Sequence, residues 1–156
     1  MMKNYRELLE FGKSRLEEQG IENPRLDAWL LMEYVFQISR TWYFLHEEEQ
    51  PGEEEEKRYM GLIGKRGEHI PLQQLTHEAY FYGLRFYVDE NVLAPRPDTE
   101  ILVEQVLENL PEDQEMEILD LCTGSGCILL SILANRQNAR GTGADLSEKA
   151  LAVAAR

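Results

Sequence analysis

Cysteine, histidine and positive charge are all scarce in this chain of 156 residues, and each shortage removes a class of function. The two cysteines, Cys122 and Cys127, fall inside one small-residue segment. Their spacing is not that of a zinc pair, and no second pair or nearby histidine completes a ligand set. The three histidines, His46, His69 and His77, are scattered and read as surface or packing residues, so no metal site is expected. A disulfide between the cysteines does not suit a reducing compartment. Lys and Arg total 16 against 29 Asp and Glu, for a net charge of −13. That balance argues against non-specific nucleic-acid binding, which depends on a basic surface. No apolar run approaches the ~20 residues of a membrane span. The start, MMKNYRELLEFGKS, is charged and amphipathic, unlike a secretory signal. A cytoplasmic location follows as the default. Internal repeats and low-complexity linkers are absent as well.

What is present is a soluble composition, 43% hydrophobic with mixed charge, long enough for one domain or two small ones. The first part reads as helical. Asn4 and Glu7 form an N-cap pair, and Tyr5, Leu8, Leu9 and Leu16 share a face up to a stop at Gly20. Asn23-Pro24 starts a second helix with Leu26, Trp29, Leu30, Glu33 and Val35. A short third helix is expected around Thr41 to Leu45, and a fourth over Glu53 to Lys65, ending at Gly67. The acidic run EEEQPGEEEEK, Glu47 to Lys57, reads as a solvated turn leading into that helix. Its alternative is a docking surface for a basic partner.

The period changes from His77. AYFYGLRFYV, Ala79 to Val88, is aromatic and broken by Gly83, which suggests a hairpin. In APRPDTE, Ala94 to Glu100, two prolines fix the backbone on either side of Arg96. A helix follows, with Ile101, Leu102, Val106, Leu107 and Leu110 as its expected buried stripe. After a polar turn at Glu112 to Glu115, the order is strand (Met116 to Leu121), helix (Ile128 to Asn135), strand (Gly141 to Ala144) and helix from Ser147. Such alternation opens a parallel α/β sheet.

The strand from Met116 runs into DLCTGSGCILL, Asp120 to Leu130. A strand, a small-residue turn and a helix bring backbone N–H groups to the strand's carboxyl end, where an anionic or nucleotide-like ligand sits. Gly124 and Gly126 allow close approach because they lack a Cβ. Asp145 stands nineteen residues after Gly126, at the end of the next strand, where an acid can accept hydrogen bonds from both ribose hydroxyls. The dinucleotide pattern needs Gly or Ala where this chain has Leu129, too large for the close helix–strand contact that pattern serves. No phosphate-binding lysine follows the loop, which excludes a P-loop. D-x-C-x-G-x-G, Asp120 to Gly126, instead resembles the first motif of class I methyltransferases that use S-adenosylmethionine.

A second segment sharpens this. GLRFYVDENVLAPRPDTEILVE, Gly83 to Glu104, resembles the joint region of the HemK/PrmC family, the protein-(glutamine N5) methyltransferases of peptide chain release factors. RLDAWLLMEYVF (from Arg25) and SRTWYF (from Ser39) are similar to that family's N-terminal helices. The resemblance implies an α plus α/β chain: a helical bundle, a β-hairpin linker, then the truncated start of a Rossmann-like class I methyltransferase sheet. It places a substrate-recognition domain at 1–75, the linker at 76–96 and the opening of the methyltransferase domain at 97–156. It implies S-adenosylmethionine as cofactor, touched by Asp120, Cys122, Thr123, Gly124, Ser125, Gly126 and Asp145. The loop would meet the methionine part, Asp145 the ribose, and Asp120 the loop or the cofactor amine. Thr99 and Glu100 would lie near the same pocket. The implied partner is a release factor, methylated on the glutamine of its Gly-Gly-Gln motif.

Three departures from the family pattern stand out. Cys122 replaces a usual glycine, so its Cβ could crowd the cofactor. Gly143 replaces a more usual apolar residue, which should weaken its strand. The family's Asn-Pro-Pro-Tyr motif, which holds the substrate amide, does not occur in the chain. The expectation is therefore a fragment with no catalytic residue of its own, a poor enzyme alone, prone to self-association through an unpaired sheet edge. The rival functions are methylation of a nucleic-acid amino group and a non-catalytic release-factor-binding module.

Overall fold

In the computed structural model, which describes residues 2–156, Asn4 opens the first helix, α1 (Tyr5–Glu18), with a reciprocal cap. The Glu7 N–H donates to Asn4 Oδ1 at 2.8 Å, and the Asn4 N–H donates to Glu7 Oε2 at 3.0 Å. A cap of this kind is worth about 1 kcal/mol. Two further first-turn donors, the N–H groups of Tyr5 and Arg6, reach the carbonyls of Glu49 and Glu47 at 3.1 and 3.0 Å. The acidic turn thus closes over the start of α1. Arg6 answers its charge by pairing with the carboxylates of Glu47 and Glu48.

Four more helices complete the unit that ends at Thr76. α2 (Pro24–Phe36) has Pro at its first position, and α3 (Arg40–His46) is capped by Ser39, whose Oγ accepts from the Trp42 N–H. α4 (Glu53–Gly67) places Glu53 to Glu56 in its first turn and Lys65 and Arg66 in its last, which suits the helix dipole at both ends. α5 (Leu72–Thr76) is a single short helix that periodicity did not announce. Leu8, Leu16, Ala28, Leu31, Met32 and Tyr59 are wholly buried at the centre. α1 approaches α4 at Gly12, where an added Cβ would overlap the Tyr59 hydroxyl. That hydroxyl donates to the Ala28 carbonyl at 3.2 Å, and burial pushes its pKa well above the ordinary phenol value. Asp27 and Arg66 pair at 2.6 Å between α2 and α4.

The second unit runs from His77 to Arg156. β1 (Ala79–Phe81) and β2 (Leu84–Phe86) pair antiparallel. Tyr82 and Gly83 join them with φ of 49° and 75°, the two left-handed residues of a tight hairpin turn. A 3-10 turn at Pro97–Thr99 leads into α6 (Glu100–Asn109). Here the structure corrects the expected stripe. Val103 is the buried residue of α6, Val106, Leu107 and Leu110 pack beside it, and Ile101 and Leu102 are exposed. Val103, Val106, Leu107 and Leu110 follow the i, i+3, i+4, i+7 spacing of one helix face, and Ile101 and Leu102 fall outside it.

β3 (Met116–Leu121) and β4 (Ala139–Ala144) are parallel, in register from Met116↔Ala139 to Leu121↔Ala144. α7 (Cys127–Ala134) connects them and α8 (Glu148–Ala154) follows. Ile118 packs with Val103, Cys127 and Ile132, whereas Leu119 and Leu121, on the opposite face, are 64% and 68% exposed. Arg136 is buried with its guanidinium on the carbonyls of Leu107, Leu110 and Asn135, so one cation serves the ends of α6 and α7. Among the described residues, no helix is long and apolar enough to cross a membrane.

Candidate cofactor site

The turn from β3 to α7 alternates its backbone hand. Cys122, Gly124 and Gly126 have φ of 64°, 56° and 78°, with Thr123 and Ser125 between them. At Gly126 an added Cβ would press on Leu130 and Ala154, at 3.2 and 3.4 Å. At Gly124 the same Cβ would meet nothing within 4 Å, so the backbone there is open to an approaching group. Cys122 adopts the left-handed conformation without glycine's freedom, and its side chain is exposed. Its peculiarity therefore lies in backbone conformation, where a Cβ costs about 1–2 kcal/mol.

The loop is fastened to the end of β4 at two points. The Thr123 N–H donates to the Ala144 carbonyl at 3.0 Å, and the Gly124 N–H donates to Asp145 Oδ2 at 2.9 Å. Within the loop, Thr123 Oγ1 donates to Asp120 Oδ2 at 2.7 Å, and the Gly126 N–H donates to the Thr123 carbonyl at 2.8 Å. Asp145 Oδ1 accepts from the Ser147 N–H at 2.9 Å, and Ser147 in turn caps α8. These N–H groups, Ser147 first and then Gly124, hold the Asp145 carboxyl below its usual range. An ionised carboxylate offers about four acceptor positions. The Ser147 and Gly124 N–H groups each take one, on different oxygens, and the Leu146 N–H adds to their hold.

Asp120, Thr123, Gly124 and Asp145 are thus brought together by direct hydrogen bonds, and Gly126 lies at the foot of α7. Ser125 turns elsewhere. It is buried and lines a recess of about 400 Å³ with Phe86, Tyr87, Leu130 and Val153. Glu100, expected near the same pocket, accepts the Tyr82 N–H on Oε1 at 2.7 Å, bracing the hairpin turn.

Two residues of the site were not anticipated. Gly143 lies beneath Thr123, and a Cβ on it would sit 3.0–3.2 Å from the threonine side chain. The strand glycine therefore makes room for the residue that anchors the loop, and β4 pairs along six residues despite it. Ser147 was legible only as a helix start, although D-x-S after a strand is also the pattern of an acid whose side chain closes onto the next helix.

The chain also has known relatives. Residues 7–76 match the PrmC N-terminal domain family. The release factor glutamine methyltransferase of Deinococcus radiodurans is 38% identical over 149 residues, covering 96% of this chain and 54% of that protein. The proteins of the same name from Caulobacter vibrioides and Chlorobaculum tepidum are each 37% identical, covering 92% and 96% of this chain and 50% and 53% of theirs. The chain spans about half the length of the curated relatives it matches. Residues 7–76 are thus similar to the PrmC N-terminal domain, and nearly the whole chain is similar to part of the release factor glutamine methyltransferases.

Proposed function

We propose that the chain supplies the helical recognition domain and the cofactor cradle of an S-adenosylmethionine-dependent methyltransferase acting on a glutamine of a peptide chain release factor. The observation that carries this reading is the zipped loop, in which Asp145 at the end of β4 holds the Gly124 N–H beside a backbone open to an approaching group. The open approach at Gly124 and the left-handed turns at Gly124 and Gly126 fit a cofactor laid across the loop. The β3–α7–β4 unit is read as the opening of a Rossmann-like class I sheet.

In this reading Asp145 accepts from the ribose hydroxyls, the Cys122 to Gly126 backbone lies along the methionine part, and Asp120 fixes the loop through Thr123. The cofactor supplies an electrophilic methyl on a sulfonium. When bound, it would offer that methyl to the substrate amide nitrogen, with Asp145 and the Cys122 to Gly126 backbone as the residues that would hold it. The present residues prepare that step by holding the cofactor in one orientation, which is catalysis by positioning. The 156 residues contain no Asn-Pro-Pro-Tyr sequence, so no residue here is assigned to the substrate amide.

The relatives' names and the acidic balance favour a protein substrate over a nucleic acid. Calorimetric titration with S-adenosylmethionine and S-adenosylhomocysteine tests the reading. Saturable binding of both, with no response to a dinucleotide, is expected. A chain that binds neither would refute the cradle.

A further inference from the structure

The parallel pair β3–β4 is covered on one side. Ile118 packs there with Val103 of α6 and Ile132 of α7, and Leu129 and Leu133 stand over Gly141. The opposite side carries Glu117, Leu119 and Leu121 from β3 beside Arg140, Thr142 and Ala144 from β4, because in-register parallel partners share a face. Leu119 and Leu121 are largely in water, and Glu117, Arg140 and Thr142 are exposed with them. Parallel sheets normally have both faces covered. This one leaves a bare face.

That face is ordered along the strands. Its first row sets an acid beside a base, Glu117 and Arg140, and the next rows set a leucine beside a smaller residue, Leu119 with Thr142 and Leu121 with Ala144. Neither Glu117 nor Arg140 makes an ion pair among the described residues. A second copy, turned about a two-fold axis along the strands, would lay its β4 on β3 and its β3 on β4. Glu117 then meets the partner's Arg140, Leu119 the partner's Thr142, and Leu121 the partner's Ala144. Every leucine faces a smaller side chain and every charge its opposite. A two-fold axis across the strands, centred on Leu119, would instead press Glu117 on the partner's Leu121, which desolvates a carboxylate without pairing it.

We propose that two copies of this chain associate through the bare face of β3–β4, in an isologous contact of the first geometry. Aligned sheets pack about 10 Å apart with their side chains interdigitated. The contact uses the face of the sheet and not its edge. So small a patch falls short of the roughly 800 Å² per partner of a standard interface, so the dimer is weak. The net charge of −13 on each copy opposes it, and the Glu117–Arg140 pairs supply register more than strength.

The test needs no cofactor and no substrate, so its failure and that of the methyltransferase reading are distinguishable. Sedimentation equilibrium follows the 156-residue chain from about 10 µM to about 1 mM, in about 0.15 M salt, where charges beyond ~8 Å are screened. A reversible monomer–dimer equilibrium is expected, half complete on the order of 0.1–1 mM. Glu117→Arg makes the charged row wholly basic, and Arg140→Glu makes it wholly acidic. Each alone is expected to weaken dimerisation by about tenfold or more, and an equimolar mixture of the two variants to restore it. Leu119→Ser is expected to weaken it similarly, whereas Ile101→Ser, at an exposed apolar residue of α6, leaves it unchanged. All four side chains are exposed, so circular dichroism melts should match the parent. A chain that stays monomeric to about 1 mM overturns the proposal. So does a mixture no more dimeric than its components, indifference to Leu119→Ser, or an equal loss with Ile101→Ser.

Discussion

Leu129 of α7 stands over Gly141 of β4 so closely that a Cβ on the glycine would lie 2.7 Å from the leucine Cδ1 and 2.9 Å from Leu133 Cδ1. The helix brings its bulk to the strand, and the strand yields by having none. Leu129 argued in the sequence against a close helix–strand contact. The contact is close nonetheless, because the small partner sits on β4 instead of α7. This pair makes a double-substitution cycle informative. Leu129→Ala should cost about 2–5 kcal/mol as a buried truncation. Gly141→Ala should cost about 1–3 kcal/mol through overpacking, less what the strand gains in losing a glycine. Combined, the two should cost less than their sum by about 0.5–3 kcal/mol. Urea unfolding of the four proteins measures this, and strict additivity would show that the two residues do not share space.

Gly12 and Tyr59 form a second such pair in the helical unit. An alanine at position 12 would favour the helix by about 1 kcal/mol in isolation. Here its methyl would displace the Tyr59 hydroxyl and crowd Ile63, whose Cδ1 lies 2.9 Å from the added Cβ. The hydroxyl would then leave the Ala28 carbonyl and lose its buried partner. The packing penalty outweighs propensity, and Gly12→Ala should destabilise by about 1–3 kcal/mol. Thermal melts of Gly12→Ala and of the double variant with Tyr59→Phe check the cause. The phenylalanine should recover part of the loss.

Cys122 invites the opposite prediction. Its left-handed backbone carries a Cβ where glycine carries none, and its side chain is exposed with no packing to lose. Cys122→Gly relieves about 1–2 kcal/mol of strain and gives back about 0.5–1 kcal/mol in unfolded-chain entropy. A net gain of about 0.5–1 kcal/mol is expected from these terms. If the cysteine merely strains the loop, S-adenosylhomocysteine affinity should stay within about twofold of the parent. A large rise in affinity with no gain in stability would mean that the side chain crowds the cofactor.

The sequence disclosed elements through period and punctuation, and it did so best where one chain segment explains itself. The Asn4–Glu7 cap, the Tyr82-Gly83 turn and the loop glycines are local chemistry, readable within a few residues. The misses share a different cause. Val103 rather than Ile101 became the buried centre of α6 because it shares helical spacing with Val106, Leu107 and Leu110, while Ile101 and Leu102 fall off that stripe. Gly143 looked like a weak strand residue because its reason, Thr123, is twenty positions away. Arg136 gave no sign of being buried, since its partners are carbonyls, which every residue owns. Of the site, the identities of Asp120, Thr123, Gly124 and Asp145 were legible, but their mutual bonds required the fold.

Those bonds give Asp145 two tasks that a single substitution would confuse. Asp145→Ala should weaken an adenosyl ligand by ~10- to 150-fold if it loses charge-assisted bonds to the ribose. It also releases the Gly124 and Ser147 N–H groups, so part of any loss could come from a slackened loop. The pH dependence separates the two. The folded-state pKa is lowered by the Ser147 and Gly124 N–H groups, so the carboxylate stabilises the loop above the ordinary aspartate value of about 3.9. That contribution is lost as pH falls through the lower folded-state pKa. The amide nitrogen resonances of Gly124 and Ser147 should therefore titrate together, with a midpoint below about 3.9. Asp145→Asn should remove that titration while keeping one carbonyl acceptor for the loop. If its Gly124 amide stays in place while ligand affinity falls, the carboxylate acts on the ligand directly. If amide and affinity move together, Asp145 serves chiefly as the clasp that holds the loop to β4.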